Sequence, residues 1–138
     1  MKFEINPYIG AGDILLGMTS EQIQNIIGIV PTKFKKVDTS KMYTDAYEWF
    51  HVYYNDKGKC EAIEIFEPSM PVFKGQYLIN RPFIEVKKYF DTIDDSIEIN
   101  DAGFTSFKYG ISIYAPFAED EPFEPVESIS IFEYGYFE

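Results

Sequence analysis

Two segments of the chain carry apolar residues at the spacing of a short amphipathic helix. The first follows Thr19, a residue type that caps helix N-termini, and the second follows Pro82, which suits a first helical turn. The two apolar stripes consist of Ile23, Ile26 and Ile27, and of Phe83, Val86, Tyr89 and Phe90. Gly28 ends the first pattern and Asp91 the second, so each predicts a helix of about two to three turns.

Downstream of each predicted helix, apolar and polar residues alternate, which is the pattern of half-buried β-strands. Alternating segments lie at 50–53, 61–66, 111–114 and 127–132, and a further strand is predicted in each half, at 41–48 and 103–109. Each half of the chain therefore begins with a helix and continues with antiparallel strands.

The two halves also align with each other. Residues 12–23 align without gaps on residues 75–86 at an offset of 63, and the later strands match at offsets of 61 and 66. Units of this size are too small to bury their apolar faces alone. We therefore predict an α+β fold in which residues 1–138 form one domain. Its two tandem helix-then-antiparallel-strand repeats, about 10–68 and 73–134, pack into one body with the helices on one face of the sheet.

The change of offset from 61 to 66 places a longer connection, residues 115–125, in the second half. Three prolines stiffen this connection, which reduces the entropy lost when it binds. It carries two aromatic anchors and four carboxylates: Phe117 and Phe123 with Glu119, Asp120, Glu121 and Glu124. We expect this loop to be the main recognition element. The alternative is that the two phenylalanines fold back onto the helices while the carboxylates face water.

Charge narrows the choice of partner. The chain has 23 acidic against 12 basic residues, a net charge of −11, and most of the excess lies in residues 75–138. Such a field opposes binding to nucleic acid and to anionic membranes, and favours a basic protein partner. Solubility is the other explanation of the acidity.

The sequence contains few of the residue patterns that form catalytic or metal-binding sites. Cys60 and His51 are the only residues of their types, so neither an intramolecular disulfide nor a zinc site is expected. The acidic stretch 91–101 departs from the calcium-loop pattern, with Ile93 at the third position and Ser96 at the sixth. We predict no metal, no cofactor and no catalytic residue. The carboxylates of this stretch form instead a secondary partner-binding patch, which consists of Asp94, Asp95, Glu98 and Asp101.

The segment Gly12–Gly28, followed by strands and a second copy, resembles the helix-then-sheet modules of the β-lactamase inhibitor protein and of the outer-membrane assembly lipoprotein A family. Both are binding modules. In size, acidity and aromatic content the chain also looks like cytosolic immunity proteins of bacterial toxin systems. It lacks the lipoprotein signal and the cysteine pairs of the secreted relatives, so a cytoplasmic location is expected.

These observations predict a non-catalytic binding protein, an immunity or inhibitor protein that occludes the basic active site of a nuclease-like toxin. One alternative is a small-molecule-binding or enzymatic domain with an aromatic cleft between the repeats, near Trp49, His51 and Tyr53. Another is self-association through a sheet edge or the aromatic C-terminus, and we expect a monomer or a weak homodimer.

Overall fold

The computed structural model describes residues 2–137, which form two helices and thirteen strands. In chain order these are β1 (Lys2–Asn6), β2 (Gly10–Ala11), β3 (Ile14–Leu15), α1 (Ser20–Ile27), β4 (Thr32–Phe34), β5 (Thr44–Ala46), β6 (Phe50–Tyr54), β7 (Cys60–Phe66), β8 (Met70–Phe73), β9 (Gln76–Tyr77), α2 (Phe83–Ile93), β10 (Glu98–Asn100), β11 (Gly103–Ser106), β12 (Ile111–Tyr114) and β13 (Ser128–Phe132). The predicted α+β class is confirmed.

The strands belong to two sheets. The larger has eight strands in the order β10-β11-β12-β13-β7-β6-β5-β4, with every neighbouring pair antiparallel. The smaller has five strands in the order β3-β2-β1-β8-β9, and its β1–β8 pair is parallel. Neither helix in residues 2–137 has the length and apolarity to span a bilayer.

The alternating segments form strands as predicted, and their apolar positions are buried. Phe50 pairs with Ile65 across β6 and β7, and Ile111 pairs with Ile131 across β12 and β13. At the centre of the large sheet, β7 pairs with β13, where Glu64 lies opposite Ser130. One core cluster includes residues from both halves of the chain, among them Phe50, Ile65, Phe104 and Ile131.

Both predicted helices are present. The side chain of Thr19 accepts a hydrogen bond from the Gln22 amide and completes a capping box, and Gly28 ends α1 at φ 76°. Pro82 lies just before α2 and contributes no side-chain cap. Phe90 of α2 packs against Phe104 of the large sheet, with ring centroids 5.2 Å apart.

Two predicted strands are shorter than expected because turns interrupt them. β5 covers only Thr44–Ala46 of the predicted 41–48, since the Tyr47 amide donates to the Phe50 carbonyl in the connection to β6. β11 ends at Ser106 instead of residue 109, because the chain turns there and the Gly110 amide donates to the Ser106 carbonyl at 2.8 Å.

Candidate partner-binding surface

The loop of residues 115–125 is joined to the N-terminus of α2 by backbone hydrogen bonds. The Phe83 amide donates to the Glu124 carbonyl and the Ile84 amide to the Pro122 carbonyl, both at 2.9 Å. The first amides of a helix lack acceptors within the helix, and Pro82 supplies no side-chain acceptor. The loop therefore provides the cap that the sequence before α2 does not.

Further hydrogen bonds fix the loop internally and at its end. The Glu121 amide donates to the Phe117 carbonyl at 2.7 Å, and the Glu124 amide donates to the Glu121 carbonyl at 3.0 Å. Just after the loop, the Val126 amide donates to the Arg81 carbonyl at 2.8 Å. The backbone of this acidic loop is thus preorganised in consecutive turns.

The aromatic side chains of the loop point to solvent. Phe117 is 62% exposed and Phe123 is 76% exposed, and the residue that turns inward between them is Ala118. The alternative in which both phenylalanines fold back onto the helices is therefore wrong. Apolar rings held in water on an ordered backbone are suitable anchors for a protein interface.

The four loop carboxylates, Glu119, Asp120, Glu121 and Glu124, are exposed as well. Among residues 2–137, no lysine, arginine or histidine lies within ion-pair distance of any of them. No ion pair with a cation of residues 2–137 therefore neutralises their charge.

The predicted secondary patch is only partly on the surface. Asp95, Glu98 and Asp101 are exposed, but Asp94 is 2% exposed and accepts hydrogen bonds from the Ser106 hydroxyl at 2.7 Å and from Ser96. Assigning Asp94 to the patch was wrong, because these donors hold its carboxylate inside the protein. Burial raises its pKa, but the hydrogen bonds from Ser106 and Ser96 and the charge of Lys108 outweigh burial and set the pKa below its ordinary value.

One groove is lined by residues of both the secondary patch and the acidic loop. A cavity of about 270 Å³ lies between β10 and the loop, with Asp101 on one side, Glu119 on the other, and Phe83 and Ala118 among its lining residues. Ile99 lines the same groove. No functional role was predicted for Ile99, although the alternation of Ile97 and Ile99 indicated a strand at this place.

The residues of the alternative aromatic cleft have different neighbours in the structure. His51 and Tyr53 approach Glu64, with the imidazole Nδ1 at 3.5 Å and the phenol oxygen at 3.3 Å from its Oε1. Trp49 instead packs against the core beside Phe50. Burial, reinforced by Glu64, raises the pKa of Tyr53, so this phenol stays protonated and acts as a hydrogen-bond donor.

Cys60 and the acidic residues form no metal-binding cluster in residues 2–137. No group of three or more histidine, cysteine or acidic side chains in that range is disposed to hold a metal ion. Burial raises the pKa of the Cys60 thiol to about 12, so it is protonated and a poor nucleophile at neutral pH.

Comparison of the chain with protein-family models, with curated proteins and with solved structures finds no match in any of the three.

Proposed function

We propose that this chain is a non-catalytic acidic binding protein that docks on a basic protein and occludes its phosphate-binding active site. An immunity protein acting on a nuclease-like toxin is the most concrete form of this role. The observation that carries the proposal is the acidic loop, an ordered backbone that presents two exposed phenylalanines among four carboxylates without described basic partners.

The physical basis is charge substitution. A site that binds phosphates is lined by lysine and arginine, and carboxylates at a matching spacing replace the phosphate oxygens as acceptors. Because the loop backbone is already hydrogen-bonded to α2, little conformational entropy is lost on binding. The net charge of −11 accelerates encounter with a basic partner and makes association sensitive to salt.

We also propose that the scaffold consists of two tandem repeats, about 10–68 and 73–134, with both helices on one face of the large sheet. The strand order supports this, since β4 to β7 and β10 to β13 run from the two edges to the centre. The pairing of Phe50 with Ile65 recurs as Ile111 with Ile131, at the sequence offsets of 61 and 66. Under this proposal the acidic loop is the insertion that distinguishes the second repeat.

The binding role that we propose agrees with the resemblance of the sequence to the modules of the β-lactamase inhibitor protein and the outer-membrane assembly lipoprotein A family, since both are binding modules. An inhibitor that protects a cell from an internal nuclease acts in the cytoplasm, which is the location we propose. We propose a monomer or a weak homodimer as the free state, because one surface must remain open to the partner.

The test is affinity capture with the full-length protein from a lysate of its source organism at low salt, followed by stepwise salt elution and mass spectrometry. Three immobilised proteins are compared: wild type, the loop variant Glu119→Lys/Asp120→Lys/Glu121→Lys, and a control variant Asp13→Lys/Asp38→Lys/Glu48→Lys. The control changes three exposed carboxylates outside the loop and so alters net charge equally.

Wild type and control should retain one basic protein at near-equal stoichiometry, release it with salt, and inhibit its phosphodiesterase activity. The loop variant should lose it while its melting temperature stays within about 4 °C, which corresponds to roughly 1 kcal/mol. Equal capture by the loop variant, or retention of an acidic protein, would contradict the proposal.

A further inference from the structure

Strand β10, Glu98–Asn100, forms one edge of the eight-stranded sheet and has β11 as its neighbour. All three of its residues are exposed. An edge strand has backbone amides and carbonyls directed away from the sheet, which are free to pair with an extended segment of another chain. Ile99 at its centre is 64% exposed, an unusual position for an apolar side chain on a free edge.

Ile99 lies beside the groove already described. It pairs with Phe104, whose ring is fully buried, so both side chains lie on the same face of the sheet. Phe83 and Ala118 line the groove with Ile99, and Asp101 and Glu119 contribute the carboxylates. The groove thus combines an apolar lining with negative charge next to a free strand edge.

The opposite edge of the sheet, β4, has a different chemistry. Lys33 occupies the central position of β4 and pairs with Asp45, as Ile99 occupies the centre of β10 and pairs with Phe104. The Lys33 ammonium forms an ion pair with the buried Asp45 carboxylate, and Lys35 and Lys36 follow in the chain. Lysines on an edge strand oppose pairing with other chains. The β10 edge has no such lysine: Glu98 lies in the strand itself, and Asp95 and Asp101 lie on either side of it in the chain.

We propose that the β10 edge and its groove bind an extended basic segment of the protein partner by strand addition. The segment pairs with β10 through its backbone and places an apolar side chain in the groove against Ile99. Its flanking lysines or arginines approach Asp101 and Glu119. This inference rests on the proposed function, because it specifies how the same acidic surface engages a basic protein.

The first experiment is an NMR titration of the isotopically labelled full-length protein with a synthetic peptide of alternating lysine and valine at low salt. Shift changes should concentrate at Ile99, Asn100, Gly103 and Glu119. Ile99→Lys, which copies the lysine of the β4 edge, should weaken the affinity by about tenfold or more. Val30→Lys, the same change at an exposed apolar residue near the other edge, should leave it within about twofold.

Changes spread evenly over exposed carboxylates such as Asp13 and Glu48, absence of binding, or equal affinity of Ile99→Lys would overturn the proposal. So would concentration-dependent oligomers in light scattering that Ile99→Lys abolishes, since the edge would then pair with a second copy of the chain.

The affinity capture described above distinguishes failure of strand addition at β10 from failure of the proposed inhibitor function. If Ile99→Lys retains the partner fully and the loop variant does not, the function stands and strand addition at β10 is wrong. If wild type captures no basic protein but binds the peptide in the groove, the groove stands and the inhibitor function fails.

Discussion

Two aspartates among residues 2–137 are buried, and each accepts a hydrogen bond from at least one donor that lies twelve or more positions away in the chain. Asp45 is fully buried and accepts from the hydroxyls of Ser20 and Tyr54 as well as from Lys33. Asp94 accepts from Ser106 and Ser96. A buried carboxylate without such partners would lose several kcal/mol of solvation, so these donors decide where the aspartates lie.

The donors of Asp94 predict a specific pH dependence of stability. Because the folded pKa is lowered, Asp94 contributes stability above its unfolded pKa of about 3.9, and that stability is lost as the pH falls through the folded pKa. Ser106→Ala removes one donor and should reduce the free energy of unfolding by roughly 1.5–3 kcal/mol at pH 7. The deficit should shrink at an acidic pH below the folded pKa of Asp94, because the carboxyl is then protonated in both proteins.

Urea denaturation at the two pH values measures this deficit. Ser112→Ala is the control, since Ser112 hydrogen-bonds the neutral hydroxyl of Thr105 at 2.9 Å and its loss should be similar at both pH values. A pH-independent deficit for Ser106→Ala would show that Asp94 is not stabilised by Ser106.

The burial of a single side chain is predictable from the sequence where it follows from the alternation of apolar and polar neighbours. Alternation correctly identifies Ile63 and Ile65 as buried. It fails for Asp94, because a charged residue in an acidic stretch is expected on the surface. Nothing in the local pattern reveals that Ser106, twelve positions away, donates to it.

Among the elements, helix α2 and the acidic loop depend on each other. The helix lacks a side-chain cap, and the carbonyls of Pro122 and Glu124 accept its first amides. The loop is consequently part of the folded scaffold as well as part of the proposed binding surface.

This dependence can be measured by amide hydrogen exchange. Replacing residues 117–123 with an equally long glycine-serine segment should mobilise the loop and leave the Phe83 and Ile84 amides without fixed acceptors. Their exchange should accelerate by about tenfold or more. The Ile23 amide of α1, which donates to the Thr19 carbonyl, serves as the internal control. Unchanged exchange at Phe83 and Ile84 would show that the loop does not cap α2.

Helices and strands whose apolar residues recur at regular spacing were predictable from the sequence, and elements without such a pattern were not. The capping residue and apolar stripe specify α1, and Phe83 with its stripe specifies α2. The smaller sheet was not predicted, because strands of two residues such as β2 and β3 have no measurable alternation. Its longest strand, β1, pairs with β8, so that Lys2 lies opposite Met70. Sequence alone does not reveal a strand partner so far along the chain.

For the whole molecule, the central question is whether the two halves of the chain unfold together. β7 and β13 pair along five positions at the centre of the large sheet, and the core cluster includes residues from both halves. Ile131 pairs with Ile63 across this junction. A substitution that destabilises the second half should therefore also destabilise the first.

We therefore expect Ile131→Ala to lower the stability of the entire protein by about 2–4 kcal/mol, the usual loss for a buried isoleucine. Trp49 fluorescence reports on the first half, and amide signals of β12 report on the second. Both should give the same lowered midpoint of denaturation. Ile99→Ala, at an exposed position, should change the stability by about 0.5 kcal/mol or less. A Trp49 transition unaffected by Ile131→Ala would indicate independently unfolding halves.

The candidate surface was predictable in part, because the change of offset between matched strands located the long loop. The groove between this loop and β10 was not predictable, since only the fold places Asp101 and Glu119 on the lining of one cavity. The internal alignment therefore locates the loop, whereas the groove follows only from the folded arrangement of β10 and the loop.

The burial of Cys60 also has a practical consequence for labelling chemistry. The thiol is inaccessible, and its pKa of about 12 leaves almost no thiolate at neutral pH, so maleimides and iodoacetamides should not modify the native protein. A cysteine introduced at position 120 would then be the single reactive site. A dye attached there would report directly on contacts of the acidic loop without removal of the natural thiol.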